Sequence, residues 1–237
     1  MFAVMYYAPL MFQGGFGLSP NEAGLLITPL AVFITVGSIV NGRIVTRLNS
    51  PNIILYIGLA FFWIAPLILA QATITTSHVM IAIAMMIGGL GLGLLLPNLT
   101  LIAQASAPRT QLGVATAMLQ SMRMVGSMLG TALVGSFISN LYLSRVNNML
   151  EVNHGSQWVT WFDDPQILVN HVRSAKFLEE AARTGQDAVI FLNGARNALV
   201  GAIHDSQWFV VAFMTLALWL VHRIPASNIH GSTTIVE

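Results

Sequence analysis

The side chains best suited to chemistry in this sequence form a polar stripe around one arginine. Arg123 lies near the middle of Leu112–Ile138, a run that holds no other charged residue. An arginine at the centre of a membrane helix costs roughly 2.5–3.5 kcal/mol, so it must face the protein interior or a water-filled cavity. Polar neighbours recur at spacings of three and four residues, within an arc of about 80° on one helix. The stripe consists of Thr116, Gln120, Arg123, Ser127 and Thr131.

This stripe has two possible roles. A polar face centred on a charge is typical of a helix that lines an aqueous path, and this interpretation predicts that the stripe forms part of a transport path. In the alternative, Arg123 bonds to backbone carbonyl groups and fixes the packing of its helix. The residues alone leave both roles open.

Catalytic and metal-binding motifs are missing from the sequence. It contains no Cys, no HExxH pattern and no pair of acids inside its apolar runs. The stretch Gly126–Gly130 reads G-S-M-L-G, so its serine stands one position away from that of a GxSxG nucleophile elbow. We therefore expect no enzyme activity, no metal site and no cofactor.

The composition limits which classes of protein are possible. Hydrophobic types make up 55% of the 237 residues and charged types 8%, whereas ordinary soluble domains carry about 25% charged residues. Ten Lys and Arg with nine Asp and Glu are too few for a soluble surface or a basic nucleic-acid-binding face. We predict an all-α polytopic membrane protein that contacts the lipid bilayer and binds no nucleic acid.

Apolar runs set the number of helices. A membrane-spanning helix needs ~20 apolar residues, and five runs approach or exceed that length. Met1–Phe12 is too short to cross, and we interpret it as the last two-thirds of a helix whose beginning is missing, which gives six helices. The five longer runs are Ala23–Asn41, Ile53–Ala70, Val79–Ala103, Leu112–Ile138 and Trp208–Ile224.

The short connections determine the orientation. Their basic residues all fall on one side of the membrane, which the positive-inside rule makes cytoplasmic, so both termini are expected in the cytoplasm. The chain then divides into five helices in 1–138 (the first partial), an extracytoplasmic loop in 139–206, and a last helix with a cytoplasmic tail in 207–237. The basic residues that flank the membrane are Arg43, Arg47, Arg109 and Arg223.

The loop 139–206 is expected to contain amphipathic helices. Asp164-Pro165 is a helix start signal and Gly185 a stop signal. Apolar residues between and after them recur at helical spacing, which predicts a helical hairpin on the outer face of the membrane. The alternative is a solvated connection with no further role. The two stripes are Leu168, Val172, Ala175, Leu178 and Ala182, and then Ala188, Leu192, Ala195 and Leu199.

Small residues indicate where helices approach closely. Gly89 and Gly93 share GxxxG spacing, as do Gly126 and Gly130, and we predict that both pairs mediate helix packing. Pro97-Asn98 is expected to break the helix in Val79–Ala103 and to expose backbone groups that either bind a solute or act as a hinge. We assign Asn98 and Gln13 to the transport path together with the polar stripe.

The order of several motifs resembles the carboxy-terminal half of a major facilitator superfamily transporter, in the fourteen-span drug:proton antiporter branch. Pro9-Leu10 with Gln13, followed by Ser19-Pro20, resembles the entry into that half. Gly42–Arg47 is similar to the cytoplasmic G-R-x-x-D-R gating loop, with Gly42, Arg43 and Arg47 in place. Thr46 stands where an acid is usual and Asn49 where a glycine is usual. Gly88–Thr100 and the R-x-x-G-x-x-x-G pattern at Arg123–Gly130 complete the resemblance.

The resemblance implies a six-helix half built from two inverted three-helix repeats. The implied function is export of small lipophilic, often cationic, drug-like compounds across the bacterial inner membrane by proton-coupled alternating access. A missing amino-terminal half would supply the coupling acids, and a periplasmic adaptor protein is a possible further partner. The alternative from a different class is a non-transporting remnant or an interaction subunit that binds partners through residues 139–206.

Overall fold

The computed structural model describes residues 2–47, 52–71 and 76–222, and within these ranges it is built from helices and turns. Short 3-10 turns follow α2, precede α5 and lie between α5 and α6, and a π-helical turn, Met11–Gly15, continues α1. The helices are α1 (Phe2–Leu10), α2 (Pro20–Ile44), α3 (Asn52–Leu69), α4 (His78–Ala105), α5 (Leu112–Val152), α6 (His171–Arg183) and α7 (Ala188–His222).

The expected all-α polytopic fold is confirmed. α2, α4, α5 and α7 are long and apolar enough to cross a membrane, and α3 is a shorter apolar helix. With α1 they account for the six expected helices, and α6 lies in the connection before the last one. The expected cytoplasmic tail, including Arg223, and part of the connection at 42–52 lie outside the described residues.

Glycines let α4 pack against two neighbours at backbone distance. A Cβ atom added to Gly93 would lie 2.3 Å from the carbonyl oxygen of Ile34 on α2. On the adjacent face of α4, a Cβ atom added to Gly91 would lie 2.6 Å from the amide nitrogen of Phe62 on α3. No side chain fits at either contact, so the backbone of α4 packs directly against the backbones of α2 and α3.

The predicted break of α4 at Pro97 is wrong, because the helix continues from His78 to Ala105. Proline removes the amide donor that would otherwise bond the carbonyl oxygen four residues earlier, which here belongs to Gly93. The hydroxyl of Ser38 on α2 donates to this oxygen at 3.3 Å. The same hydroxyl lies closer, at 2.9 Å, to the carbonyl oxygen of Ile34 on its own helix, so its hydrogen is shared between the two oxygens while α4 continues past Pro97.

The segment 139–206, which we call the cap segment, consists largely of the extended ends of two long helices. α5 runs without interruption to Val152, and α7 begins at Ala188, so the expected boundaries at 138 and 206 do not coincide with helix ends. The second arm of the expected hairpin is therefore the beginning of α7. Between these extensions lie two 3-10 turns, Ser156–Trp161 and Pro165–Leu168, and the helix α6.

α6 starts later than expected. Asp164-Pro165 begins a 3-10 turn, and α6 starts after Asn170, whose side chain accepts the amide hydrogens of Val172 and Arg173. The predicted apolar stripe leaves Val172 and Leu178 exposed. The buried face instead carries Phe177 and Ala181, which are fully inaccessible to solvent.

An aromatic cluster around Phe177 explains this orientation. The Phe177 ring lies 4.9 Å from that of Phe162 and 5.3 Å from that of Trp158, both edge-on. The Trp158 indole also donates to the Gln186 side chain at 2.6 Å. Burial of these large rings outweighs that of the smaller stripe, because aromatic side chains bury the most area. The cap segment thus contributes a packed aromatic cluster to the hydrophobic core.

Candidate functional site

A cavity of about 430 Å³ lies between α3, α4, α5 and α7. Phe62 of α3, Leu95 of α4 and Phe213 of α7 contribute apolar walls. The remaining wall belongs to α5 and carries the polar groups. It is formed by Arg123, Gly126, Ser127, Gly130, Thr131, Leu133 and Val134.

The position of Arg123 along α5 brings it to this wall. It lies 11 residues after Leu112, the first residue of the helix, which corresponds to about 16 Å along the axis. Its guanidinium group donates to the side-chain oxygen of Gln120 on the preceding turn. Gln120 thus holds the arginine along the helix, with the cavity beside it.

The structure brings three residues of the predicted polar stripe to the cavity and places a fourth elsewhere. Arg123, Ser127 and Thr131 line it. Thr116, nearer the start of α5, accepts a hydrogen bond from the Gln104 side chain of α4 at 3.0 Å. This end of the stripe therefore forms a contact between two helices, which periodicity alone does not distinguish from a solvent path.

Gln13 and Asn98 are not among the cavity-lining residues in the described part of the chain. Gln13 lies on the π-helical turn after α1. Asn98 is fully buried within α4, while Leu95, Leu96 and Leu99 of that helix face the cavity. The intact helix at Pro97 accounts for this, because no polar backbone is released beside Asn98.

The two GxxxG pairs have different surroundings. Gly89 lies against α2, where an added Cβ atom would be 2.4 Å from the carbonyl oxygen of Leu30. Cβ atoms added to Gly126 and Gly130 would have no described atom within 4 Å, apart from their own helix backbone and chain neighbours. α5 therefore presents a smooth glycine face to open space.

The residues of the expected gating loop lie mainly within helical structure. Gly42 and Arg43 occupy the last turn of α2, and Arg47 ends the following 3-10 turn, Val45–Arg47. All three are exposed. The side chain of Thr46 and the whole of Asn49 lie outside the described residues.

The structure contains one charged cluster that no pattern in the sequence predicts. Arg145 on α5 bonds to Asp205 on α7 at 2.7 Å, and the His204 ring nitrogen lies 3.2 Å from the same carboxylate. Gly201 leaves room for the guanidinium group, since an added Cβ atom would be 1.9 Å from it. The partners are 60 residues apart in sequence, so no local spacing signals the pair.

Comparison with known proteins identifies the family. Residues 1–145 match the sequence profile of the Major Facilitator Superfamily, which is more than half of the chain. The chain belongs to the Major Facilitator Superfamily. This membership indicates a multi-pass membrane transport protein and not an enzyme.

The chain is similar to proteins named for drug transport and for drug resistance. The Multidrug transporter protein MdtP of Bacillus subtilis is 32% identical over 151 residues, which cover 63% of this chain and 27% of MdtP. The Tetracycline resistance determinant of Streptomyces rimosus is 28% identical over 215 residues, which cover 87% of this chain and 60% of that protein. The chain therefore spans only part of the length of each of these relatives.

Proposed function

We propose that this chain is the carboxy-terminal half of an exporter of drug-like compounds that works by alternating access. The single observation that carries the proposal is the open, arginine-bearing wall of α5 beside an apolar cavity. A polar face on an otherwise apolar membrane helix is stable only if it meets protein, water or a solute. The names of MdtP and the tetracycline resistance determinant support a drug as the solute.

An amino-terminal half is a part of this proposal. Gly126 and Gly130 have open space before them, and glycines at this spacing let another helix approach closely. In the fourteen-span antiporter branch, the second half would cover this face and complete the transport path.

Proton coupling is assigned to that second half. The cavity lining contains no carboxylate among the residues that the structure describes, and a proton-coupled carrier needs a titrating group in its path. The coupling acid would then be contributed by the amino-terminal half.

We also propose a placement in the bacterial inner membrane, with both termini cytoplasmic. Arg43 and Arg47 lie at the connection between α2 and α3, and Arg109 lies between α4 and α5. If successive helices cross the membrane in alternate directions, these two connections are on one side, which the positive-inside rule assigns to the cytoplasm. The cap segment would then lie outside, where its exposed Val152 and Val189 are available to an adaptor protein.

Transport by inverted membrane vesicles tests the proposal. Vesicles that contain the complete transporter are energised, and uptake of ethidium and of 1-pyrenebutyrate is followed by fluorescence. We expect the unmodified protein to take up both, and Arg123→Ala to lower uptake of 1-pyrenebutyrate at least about tenfold, a loss of roughly 1.4 kcal/mol in transition-state stabilisation. The matched control is Arg183→Ala, which alters an exposed arginine on α6. Undiminished uptake by Arg123→Ala would remove this residue from the transport path.

A further inference from the structure

We infer that the cavity beside Arg123 binds lipophilic compounds that carry one negative charge, such as a carboxylate, in preference to neutral or cationic compounds of the same shape. This inference rests on the proposed export function and specifies its substrate class. It departs from the expectation of cationic substrates that follows from the resemblance.

The walls of the cavity determine the size and polarity of the main, uncharged part of a compound that binds there. A volume of about 430 Å³ falls within the usual range for small-molecule sites, roughly 300–1,000 Å³. Phe62, Phe213 and Met214 supply aromatic and thioether surface, which favours flat or flexible apolar groups. A compound that fills this space must be largely apolar.

The charge of the cavity determines the head group. Arg123 is the one charged side chain among the described residues that line it. No described acid lies within 4 Å of its guanidinium group, whereas Arg145, Arg173 and Arg183 in the cap segment each have a carboxylate partner. An unpaired cation in apolar surroundings is stabilised by an anion and repels a second cation.

The geometry of the α5 wall favours recognition of a carboxylate. A guanidinium group has five N–H donors in a planar fork. In Arg123 one of them donates to the side-chain oxygen of Gln120. Gln120 is neutral and lies on the same helix, so the charge of Arg123 is not compensated by this bond. The hydroxyl groups of Ser127 and Thr131 lie on the same wall, one and two turns further along α5.

The test compares three compounds with one apolar body. We use 1-pyrenebutyrate, its primary amide and 4-(1-pyrenyl)butyltrimethylammonium, and follow the uptake of each into energised vesicles that contain the complete transporter. The expected result for the unmodified protein is uptake of the carboxylate at least about tenfold more efficient than that of the ammonium compound. Equal or reversed preference would overturn the inference without any substitution.

Three variants assign the preference to Arg123. We expect Arg123→Gln to abolish the preference for the carboxylate while retaining uptake of the amide, and Arg123→Lys to keep most of the preference because it keeps the charge. Arg183→Gln serves as the control for removing an arginine elsewhere. An equal loss of uptake for all three compounds in Arg123→Gln, with normal amounts of protein, would contradict the inference and favour a coupling or packing role.

The two proposals fail in different ways. If the unmodified protein takes up none of the three pyrene compounds and no ethidium, export itself is wrong. If it takes up ethidium and the pyrene compounds but does not favour the carboxylate, the export function stands and the anion-binding inference is wrong.

Discussion

The two parts of α5 have contrasting surroundings. In the cap segment its side chains are buried at every fourth residue, namely Tyr142, Val146 and Leu150. Before Val134 no residue of α5 is buried among those that the structure describes, and Met118 and Met128 expose 61% and 69% of their surface. One continuous helix thus passes from a finished core to an open face.

The contrast extends to charge. Arg145 in the cap segment is bound to Asp205, whereas Arg123 in the open part is held by a neutral glutamine. In water, the methionines exposed beside Arg123 would be unfavourable, because apolar surface is driven out of contact with water. Inside a membrane, the open part of α5 instead marks where a further helix, a lipid or a solute is needed.

The largest effect that tests this comparison is expected in the aromatic core of the cap segment. Phe177→Ala should lower the free energy of unfolding by about 3–5 kcal/mol, because it leaves a cavity among the three aromatic rings of Trp158, Trp161 and Phe162. The neighbouring Leu178→Ala is the control, since Leu178 is exposed and should cost under about 1 kcal/mol. Both are measured by denaturant titration with tryptophan fluorescence. Similar losses for the two variants would mean that the cap segment has no specific core.

The glycine pairs provide the next test. Gly93→Ala should destabilise the chain by about 1–3 kcal/mol, because the added methyl group collides with the backbone of α2. Gly126→Ala should be neutral or slightly stabilising, because its surroundings are open and alanine favours the helix. Thermal unfolding of this chain in detergent compares the two. A large loss in Gly126→Ala would show that the open face is already packed.

The smallest expected effect concerns the ion pair of the cap segment. A double-mutant cycle of Arg145→Gln and Asp205→Asn should give a coupling energy of about 0.2–1 kcal/mol, because both side chains are partly exposed, at 38% and 40%. Arg123→Gln should leave the stability of this chain nearly unchanged, since no described carboxylate loses a partner. A coupling energy above about 2 kcal/mol would place the ion pair in much drier surroundings than its exposure indicates.

The sequence predicts those features of the fold that depend on local pattern. The apolar runs give the all-α polytopic fold, and the three- and four-residue spacing around Arg123 puts Ser127 and Thr131 on the same side of α5. These features follow from the helical repeat alone, which relates residues within one element.

The features that the sequence does not predict depend on contacts between distant residues. The contact of Ser38 with the Gly93 carbonyl group beside Pro97 joins residues 55 apart in sequence. The buried face of α6 depends on Trp158 and Phe162 in a preceding turn, which the spacing within α6 does not show. The pairing of Arg145 with Asp205 likewise requires knowledge of which helices are adjacent.

The uninterrupted length of α5 has a mechanical consequence. Its 41 residues form a rod of about 60 Å, and no proline interrupts it between Leu112 and Val152. Because one hydrogen-bonded helix joins the two parts, a tilt imposed at Val152 is passed along α5 toward Arg123, which lies 29 residues or about 44 Å away.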